Sequence, residues 1–163
     1  MPMTEQNPDA ISTSGAAILP ALAAFPDDLA RTLNGQSAAA LVRPASDGGW
    51  GVVENLCHMR DWEEIFLARA RAIVERDRPE LPVFDDELWP IERDYRGQPP
   101  DRVVQRLRDL RGQLVVLLTS LPDAAWQRTG LHGLRGEITL YDLVALLHQH
   151  CEEHLVQIQE ALM

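Results

Sequence analysis

Residues 139–158 read TLYDLVALLHQHCEEHLVQI, and their pattern decides the fold class of this chain. Thr139 is predicted to be the N-cap of a helix, and Asp142 three residues later completes a motif similar to a capping box. The inward positions then recur at the three- and four-residue spacing of an amphipathic helix, at Leu140, Leu143, Leu147, His150, His154, Gln157 and Ala161. The stretch predicts a long helix whose buried face carries two histidines.

Three stretches further upstream show the same helical spacing. The first contains Pro26, which is expected to kink the helix or to mark its true start, and its stripe is Leu22, Phe25, Leu29 and Leu33. The second runs from near Gly51 to about Asp77 with the stripe Val52, Leu56, Met59, Glu63, Phe66, Ala70 and Ile73. The third begins with Asp101 as a cap and ends at Pro122, with the stripe Val103, Leu107, Leu110, Leu114, Leu117 and Leu121.

The segment between the second and third helices, residues 78–100, is irregular and rich in proline, with Trp89 and Tyr95 available as anchors. Nothing in the chain alternates with period two over more than a few residues, so no strand is predicted. The fold class is therefore all-α, a four-helix bundle with a long crossover between helices 2 and 3. Residues 1–15 are predicted to be a disordered tail and residues 16–163 a single domain.

Composition and charge exclude several kinds of protein. The chain has 163 residues, with 25 acidic and 15 basic side chains and a net charge of −10, and every basic residue is arginine. Without lysine there is no Schiff-base chemistry and no phosphate-gripping P-loop. An acidic surface argues against nucleic acid or an anionic membrane as partner. The N-terminus lacks the features of a signal peptide, so a reducing cytoplasm is the expected location.

Two histidines on the stripe of the last helix are the strongest indication of function. His150 and His154 are one turn apart, so their imidazoles can point at one place. Neutral imidazoles are ligands for a divalent metal. The alternative is a pair of core histidines that bond to amide or backbone groups. A third imidazole, His58 on the flank of the second helix, completes a three-His site if those two helices pack together.

Other candidate ligands fit a metal site less well. His148 points to the opposite side of the last helix, and His132 lies in a glycine-rich loop. A di-iron site is rejected because no glutamate precedes a histidine by three residues. The string from His150 to His154 matches the H-x-x-E-H pattern of inverted zinc peptidases, in which Glu153 is a candidate general base.

The remaining polar residues near these histidines allow two interpretations each. Asp61 is a candidate to orient an imidazole or lies on a solvated face, and Glu63 is a candidate acid–base group or marks the edge of its stripe. Cys57 and Cys151 are expected to be small core residues. The third helix carries four arginines that are expected to be solvated: Arg102, Arg106, Arg108 and Arg111.

Two segments resemble one known family. Residues 50–61, WGVVENLCHMRD, are similar to the W-S-x-x-E-x-x-x-H-L-x-D segment of the DinB/YfiT-like metalloenzymes, and residues 136–158 resemble the last helix of that family. Gly51 departs from the pattern, because relatives commonly have Ser or Thr there. The resemblance covers about residue 18 to the end and implies a four-helix bundle, usually dimeric. It also implies a divalent metal, often zinc or nickel, bound by residues matching His58, His150 and His154.

The functional prediction follows from the site and the resemblance together. We expect a divalent-metal-dependent enzyme that activates a water or a low-molecular-weight thiol, for hydrolysis of or S-transfer to a small molecule. Within the resembled family, thiol S-transfer is the best-defined activity. Glu153, Asp61 and Glu63 are the candidates for acid–base or supporting roles. The competing prediction is a non-enzymatic metal-binding or stress-response bundle with a structural metal.

Overall fold

Four long helices make up most of the computed structural model, which describes residues 15–163. They are α1 (Leu19–Leu33), α3 (Val52–Glu75), α5 (Pro100–Thr119) and α6 (Leu140–Leu162), with the short helices α2 (Ala38–Val42) and α4 (Trp89–Glu92) between them. Three 3-10 turns span Gly15–Ala17, Tyr95–Gly97 and Asp123–Gln127. The predicted tail lies outside the described residues apart from Gly15. Among residues 15–163 no helix has the length and apolar character needed to cross a bilayer.

The predicted four-helix bundle is confirmed by how the long helices pack. α3 contacts both α5 and α6 along its length, and α1 lies against α5. Every residue of the predicted α3 stripe is buried, including the charged Glu63. The α6 stripe is confirmed through His154, but Gln157 is exposed and Ile158 is buried in its place. Burial of these apolar faces is the main force that holds the bundle together.

Local chemistry explains most of the helix boundaries. At the start of α6, Thr139 Oγ1 accepts from the backbone N–H of Asp142 and the Asp142 carboxylate accepts from that of Thr139, each at 3.0 Å. This confirms the predicted capping box. The prediction of Asp101 as a cap is wrong, because α5 begins earlier, after Pro99, and Asp101 lies in its first turn. A proline suits the first helical position because it has no N–H to leave unpaired.

The N-terminus of α3 depends on a glycine. A side chain at Gly51 would place its Cβ 2.4 Å from the carbonyl oxygen of Arg43, so only glycine fits against the backbone there. The Gly51 N–H still finds a partner, because it donates to the carboxylate of Glu54 at 2.8 Å. The departure from the family pattern at this position therefore has a steric reason in this chain.

Pro26 lies inside α1 and does not mark its start, which is at Leu19. Because proline has no N–H, the carbonyl of Leu22 four residues earlier loses its usual helical partner. The Arg111 guanidinium donates to that carbonyl at 3.0 Å. The helix therefore continues through the proline, and the free carbonyl becomes a contact between α1 and α5.

The prediction of no strand is wrong, because a small three-stranded sheet closes one side of the bundle. Its strands are β1 (Glu80–Leu81), β2 (Thr129–His132) and β3 (Gly136–Thr139), in that spatial order. β2 and β3 form an antiparallel hairpin, and β1 pairs with β2 in parallel. Strands of two and four residues are too short to show an alternating pattern. Since β1 belongs to the crossover, the sheet ties the crossover to the loop before α6.

The long crossover itself is confirmed, and aromatic residues anchor it. Trp89 and Tyr95 are both buried, as predicted for anchors. The Tyr95 hydroxyl donates to Asp61 on α3 at 2.7 Å, and the Arg93 guanidinium lies 3.8 Å from the centre of the Trp89 ring. These contacts hold the irregular segment against α3.

The capping box of α6 predicts a measurable stability change. Thr139→Ala removes the side-chain acceptor for the Asp142 N–H, so the free energy of unfolding should fall by about 1 kcal/mol in urea denaturation. Thr139→Ser keeps a hydroxyl at the same position and is the matched control, expected to stay close to the wild-type value. Equal stability of the alanine and serine variants would contradict the capping role.

Candidate metal centre

The three predicted histidines lie together between α3 and α6. Each of His58, His150 and His154 offers a ring nitrogen, and these atoms all lie within 4.8 Å of one another. The Nε2 atoms of His58 and His150 are 3.1 Å apart. His148 and His132, which the sequence analysis had set aside, are not members of this cluster.

Helix packing explains why the imidazoles converge. His150 and His154 are four residues apart on α6, so both project from one face of that helix. α3 packs on the same face, and His58 projects from its first half toward α6. His58 and His154 are buried, and His150 is half-buried. The two helices therefore build the cluster from positions that elsewhere carry core leucines.

The donor set fits a divalent metal. Two nitrogens bound at about 2.0–2.1 Å in a tetrahedral site lie roughly 3.3 Å apart, close to the observed separation of His58 and His150. Burial and the neighbouring imidazole of His154 lower the pKa of His58 from 6.5 to about 4. Burial, with the two neighbouring imidazoles, lowers the pKa of His150 to about 3. Burial also lowers the pKa of His154. At neutral pH the imidazoles are therefore in the uncharged form that binds metals.

Two residues that the sequence analysis missed lie next to the imidazoles, and one of them, Asn55, bonds to His154. Asn55 Oδ1 lies 2.8 Å from His154 Nδ1, and the Asn55 amide is itself held by the carbonyl of Gly51 at 2.9 Å. An amide oxygen can only accept, so His154 carries its proton on Nδ1 and presents Nε2 to the cluster. Asp86 accepts from the Trp62 indole at 2.8 Å and lies 3.8 Å from His58 Nδ1, too far for a hydrogen bond, so that nitrogen has no partner within the described residues. A hydrogen-bond partner such as Asn55 sets the tautomer and direction of a metal-binding histidine.

Two indole rings enclose the cluster. Trp50 is stacked on His154 with 6.1 Å between ring centres and lies 4.7 Å from His58. Trp62 is arranged edge-to-face with His58 and His150, with 6.4 and 6.2 Å between ring centres. Aromatic walls exclude water and strengthen electrostatic interactions within the site.

Asp61 holds the crossover and touches none of the three histidines. Its carboxylate accepts from the Tyr95 hydroxyl at 2.7 Å, from Arg93 at 2.8 Å and from Arg60 at 2.8 Å. Burial, together with this hydrogen bond, raises the pKa of Tyr95. The position of Asp61 suits a structural anchor better than a group that orients an imidazole.

Glu63 is fully buried in an ion pair, and the expectation that Arg111 is solvated is wrong. The Arg111 guanidinium grips both oxygens of Glu63, at 2.6 and 2.8 Å, and is 2% exposed. The same group lies 3.3 Å from the sulfur of Cys151. Bidentate contacts satisfy a buried arginine that would otherwise be very costly. Glu63 therefore belongs to the core of the bundle.

Both cysteines are core residues, as predicted. Cys57 and Cys151 are completely buried and free. Burial is the largest effect on each thiol and raises the pKa of both to about 12. A thiol with such a pKa is a poor nucleophile at neutral pH, and neither sulfur belongs to the histidine cluster.

Of the three candidate carboxylates, Glu153 is the one that lines a groove beside the histidine cluster. It is exposed, accepts from Gln149 at 2.9 Å, and lines a groove of about 620 Å³ together with His150. We call this space the His150 groove; its other walls come from Trp62, Phe66, Arg69, Phe84, His132 and Arg135. The groove gives a small molecule a route to the imidazole of His150.

A four-helix bundle with three neutral imidazoles beside a groove is typical of metal-binding four-helix proteins. Comparison with known proteins identifies the family. The sequence profile of the DinB superfamily matches residues 21–158, so the chain belongs to the DinB superfamily. The resemblance in the two histidine segments is thereby confirmed.

Curated relatives and a solved structure agree with this assignment. A protein of Geobacillus thermodenitrificans is 29% identical over 139 residues, which cover 85% of this chain and 78% of that protein. One of Oceanobacillus iheyensis is 26% identical over 138 residues, covering 85% and 79%. Both bear the name "Putative metal-dependent hydrolase". The solved YfiT of Bacillus subtilis, described as "a probable metal-dependent hydrolase with an unusual four-helix bundle topology", superposes with a TM-score of 0.82 at 22% identity over 99% of this chain and 90% of that chain.

Metal loading should depend on the cluster and not on histidine content. Untagged protein incubated with zinc or nickel and then desalted is expected to hold about one equivalent by elemental analysis. His154→Gln should lose most of it, whereas His148→Gln, the matched control on the same helix, should load like wild type. Because the lowered pKa values keep His58 and His150 neutral in acid, loading should persist at about pH 5.5 and fail near pH 3.5. Equal metal content in the His154→Gln and His148→Gln proteins would contradict the three-histidine site.

The Glu63–Arg111 pair should stabilise the fold without contributing a metal ligand. Glu63→Gln leaves Arg111 buried beside a neutral amide, so the free energy of unfolding should fall by about 3–5 kcal/mol. Glu64→Gln is the matched control, because the pair that Glu64 makes with Arg106 is exposed and should contribute less than about 1 kcal/mol. Folded Glu63→Gln protein should still load metal, and loss of loading in folded protein would contradict this assignment.

Proposed function

We propose that this protein is a divalent-metal-dependent hydrolase that acts on a small molecule. The observation that carries the proposal is the convergence of His58, His150 and His154 beside an open groove. Within residues 15–163 the cluster has three ligating side chains, so a four-coordinate cation would keep one position for water or substrate. The names of the Geobacillus and Oceanobacillus relatives support the same activity.

A three-imidazole donor set suits zinc or nickel, and we propose one of these as the cofactor. When bound, such a cation supplies Lewis-acid chemistry, which lowers the pKa of a water or thiol that joins its coordination shell. The protein's own residues prepare the site for it. Asn55 fixes the tautomer of His154, and the rings of Trp50 and Trp62 pack against the imidazoles.

Glu153 is our proposed general base. Its carboxylate lies on the groove that also reaches His150, and Gln149 holds it by a hydrogen bond that leaves further lone pairs free. From this position it can take a proton from a water or a substrate group in the groove. Asp61 and Glu63 keep supporting roles, because arginine and tyrosine donors already occupy their oxygens.

Transfer of a low-molecular-weight thiol to an electrophile is the second candidate. The observation that favours it is the state of the two cysteines, since both are buried with a pKa near 12. Any thiol that reacts here must therefore come from a small molecule that enters the groove. A site with three neutral ligands keeps the full charge of the cation, which stabilises a thiolate as well as a hydroxide. The homodimer and the cytoplasmic location stay predictions.

Turnover assays on zinc- and nickel-loaded protein distinguish these functions. We expect metal-dependent hydrolysis of chromogenic esters or amides, reduced at least 100-fold in His154→Gln and roughly 10- to 100-fold in Glu153→Gln. Glu152→Gln, an exposed neighbour on α6, is the matched control and should keep wild-type rates.

The same preparations should be given low-molecular-weight thiols with a chromogenic electrophile. Faster metal-dependent thiol transfer than hydrolysis would favour the S-transferase. Metal binding without turnover on either panel would contradict an enzyme and support a metal-binding module. Turnover that survives in His154→Gln would contradict the proposed site.

A further inference from the structure

The His150 groove has a charge distribution that metal binding does not explain. At its α6 end stand His150 and Glu153, whereas its other wall carries the guanidinium groups of Arg69 and Arg135. The chain as a whole is strongly acidic, with a net charge of −10. Two arginines facing one groove in such a protein concentrate positive charge where a substrate would lie.

Arg69 is a buried arginine without a carboxylate. Among residues 15–163 two arginines are buried, Arg69 at 5% exposure and Arg111 at 2%. Arg111 is bidentately paired with Glu63, as expected for a buried charge. Arg69, in contrast, makes no ion pair within residues 15–163, and burial alone lowers its pKa, with no acidic neighbour to offset it. In the part of the chain that the structure describes, Arg69 is therefore a buried guanidinium whose charge no carboxylate neutralises.

The contacts of Arg69 hold it in place but leave donors unused. Its Nη2 donates to the carbonyl of Pro82, and its Nε is buried without a hydrogen-bond partner within the described residues. Its Cζ lies 5.6 Å from the ring centre of Trp62, 5.7 Å from that of Phe66 and 6.0 Å from that of Phe84. Three aromatic faces stabilise a cation and fix its direction, yet they provide no hydrogen-bond acceptor for its N–H groups.

Trp62 connects this arginine to the metal centre. The same indole ring lies against Arg69 and, at 6.2 Å, against His150. A molecule of ordinary metabolite size in the groove can therefore reach both groups at once. His132 and the exposed Arg135 complete the cationic wall, and burial together with the nearby Arg69 and Arg135 lowers the pKa of His132. His132 is thus a neutral neighbour, and the two arginines carry the charge.

We propose that Arg69, assisted by Arg135, binds the oxyanion of the substrate, a carboxylate or a phosphate, while the rings of Trp62, Phe66 and Phe84 pack against an apolar part of the same molecule. This inference rests on the proposed function, because it names the substrate class of that site. A planar guanidinium with free N–H groups is suited to either oxyanion. The substrate supplies the negative charge that Arg69 lacks, and its reacting group then lies toward His150 and Glu153.

Ligand binding tests the proposal without relying on turnover. We would measure dissociation constants of the zinc-loaded protein by calorimetry or ligand-observed NMR for three probes: 3-phenylpropionate, phenyl phosphate and the neutral 3-phenylpropionamide. We expect at least one anion to bind tenfold or more tightly than the amide, with an affinity that falls as salt is added. Arg69→Gln should weaken that anion at least tenfold and leave amide binding unchanged. Arg71→Gln, an exposed arginine on the same helix, is the matched control.

A second variant separates this inference from the proposed function. His154 does not line the groove, so His154→Gln should lose metal and turnover but keep anion binding that depends on Arg69. Loss of anion binding in His154→Gln with normal binding in Arg69→Gln would overturn the proposal, because the anion would then be on the metal. Equal affinity of wild type for the amide and both anions would overturn it as well. Anion binding that depends on Arg69 in a protein without turnover would support it while the proposed hydrolase fails.

Discussion

One buried guanidinium connects all four long helices of this protein. Arg111 projects from α5, grips Glu63 on α3, donates to the α1 carbonyl that Pro26 leaves free, and contacts Cys151 on α6. Glu63 follows His58 by five residues, and Cys151 directly follows His150. We infer that this network fastens the four long helices to one another, while the buried apolar faces of α3 and α6 align the two helices that carry the imidazoles. A misaligned arrangement would leave a charge buried without its partner, at a cost of several kcal/mol.

The histidine cluster combines neutral imidazoles, which suit a cation, with arginines in the adjoining groove, which suit a negatively charged substrate. Burial keeps the imidazoles neutral, Asn55 orients that of His154, and the acidic chain produces a field that favours a bound metal ion. The absence of lysine restricts the positive charges to arginine, which holds planar oxyanions by paired hydrogen bonds. His150 and Arg69 line one groove, so under our proposals the same cavity would orient a substrate and activate its reacting group.

The parts of this structure that depend on local periodicity could be predicted from the sequence, and the parts that depend on tertiary contacts could not. Four long helices and the histidine cluster follow from three- and four-residue spacing, since His150 and His154 occupy positions that otherwise carry leucine. The strands were missed because they are too short to alternate. Asp86 lies in the crossover, where no helical or strand periodicity indicates which residues face the core. Arg111 has the same sequence context as its solvated neighbours, and only the tertiary contact with Glu63 distinguishes it.

The central claim is that three imidazoles hold one divalent cation and leave its coordination open. X-ray absorption spectroscopy of the zinc-loaded, untagged protein at neutral pH tests this most directly. The account predicts three imidazole nitrogens at about 2.0–2.1 Å, with the characteristic outer scattering of their rings, and one or two further oxygen or nitrogen atoms at a similar distance. A sulfur at about 2.3 Å, or the outer scattering of only one imidazole, would contradict it.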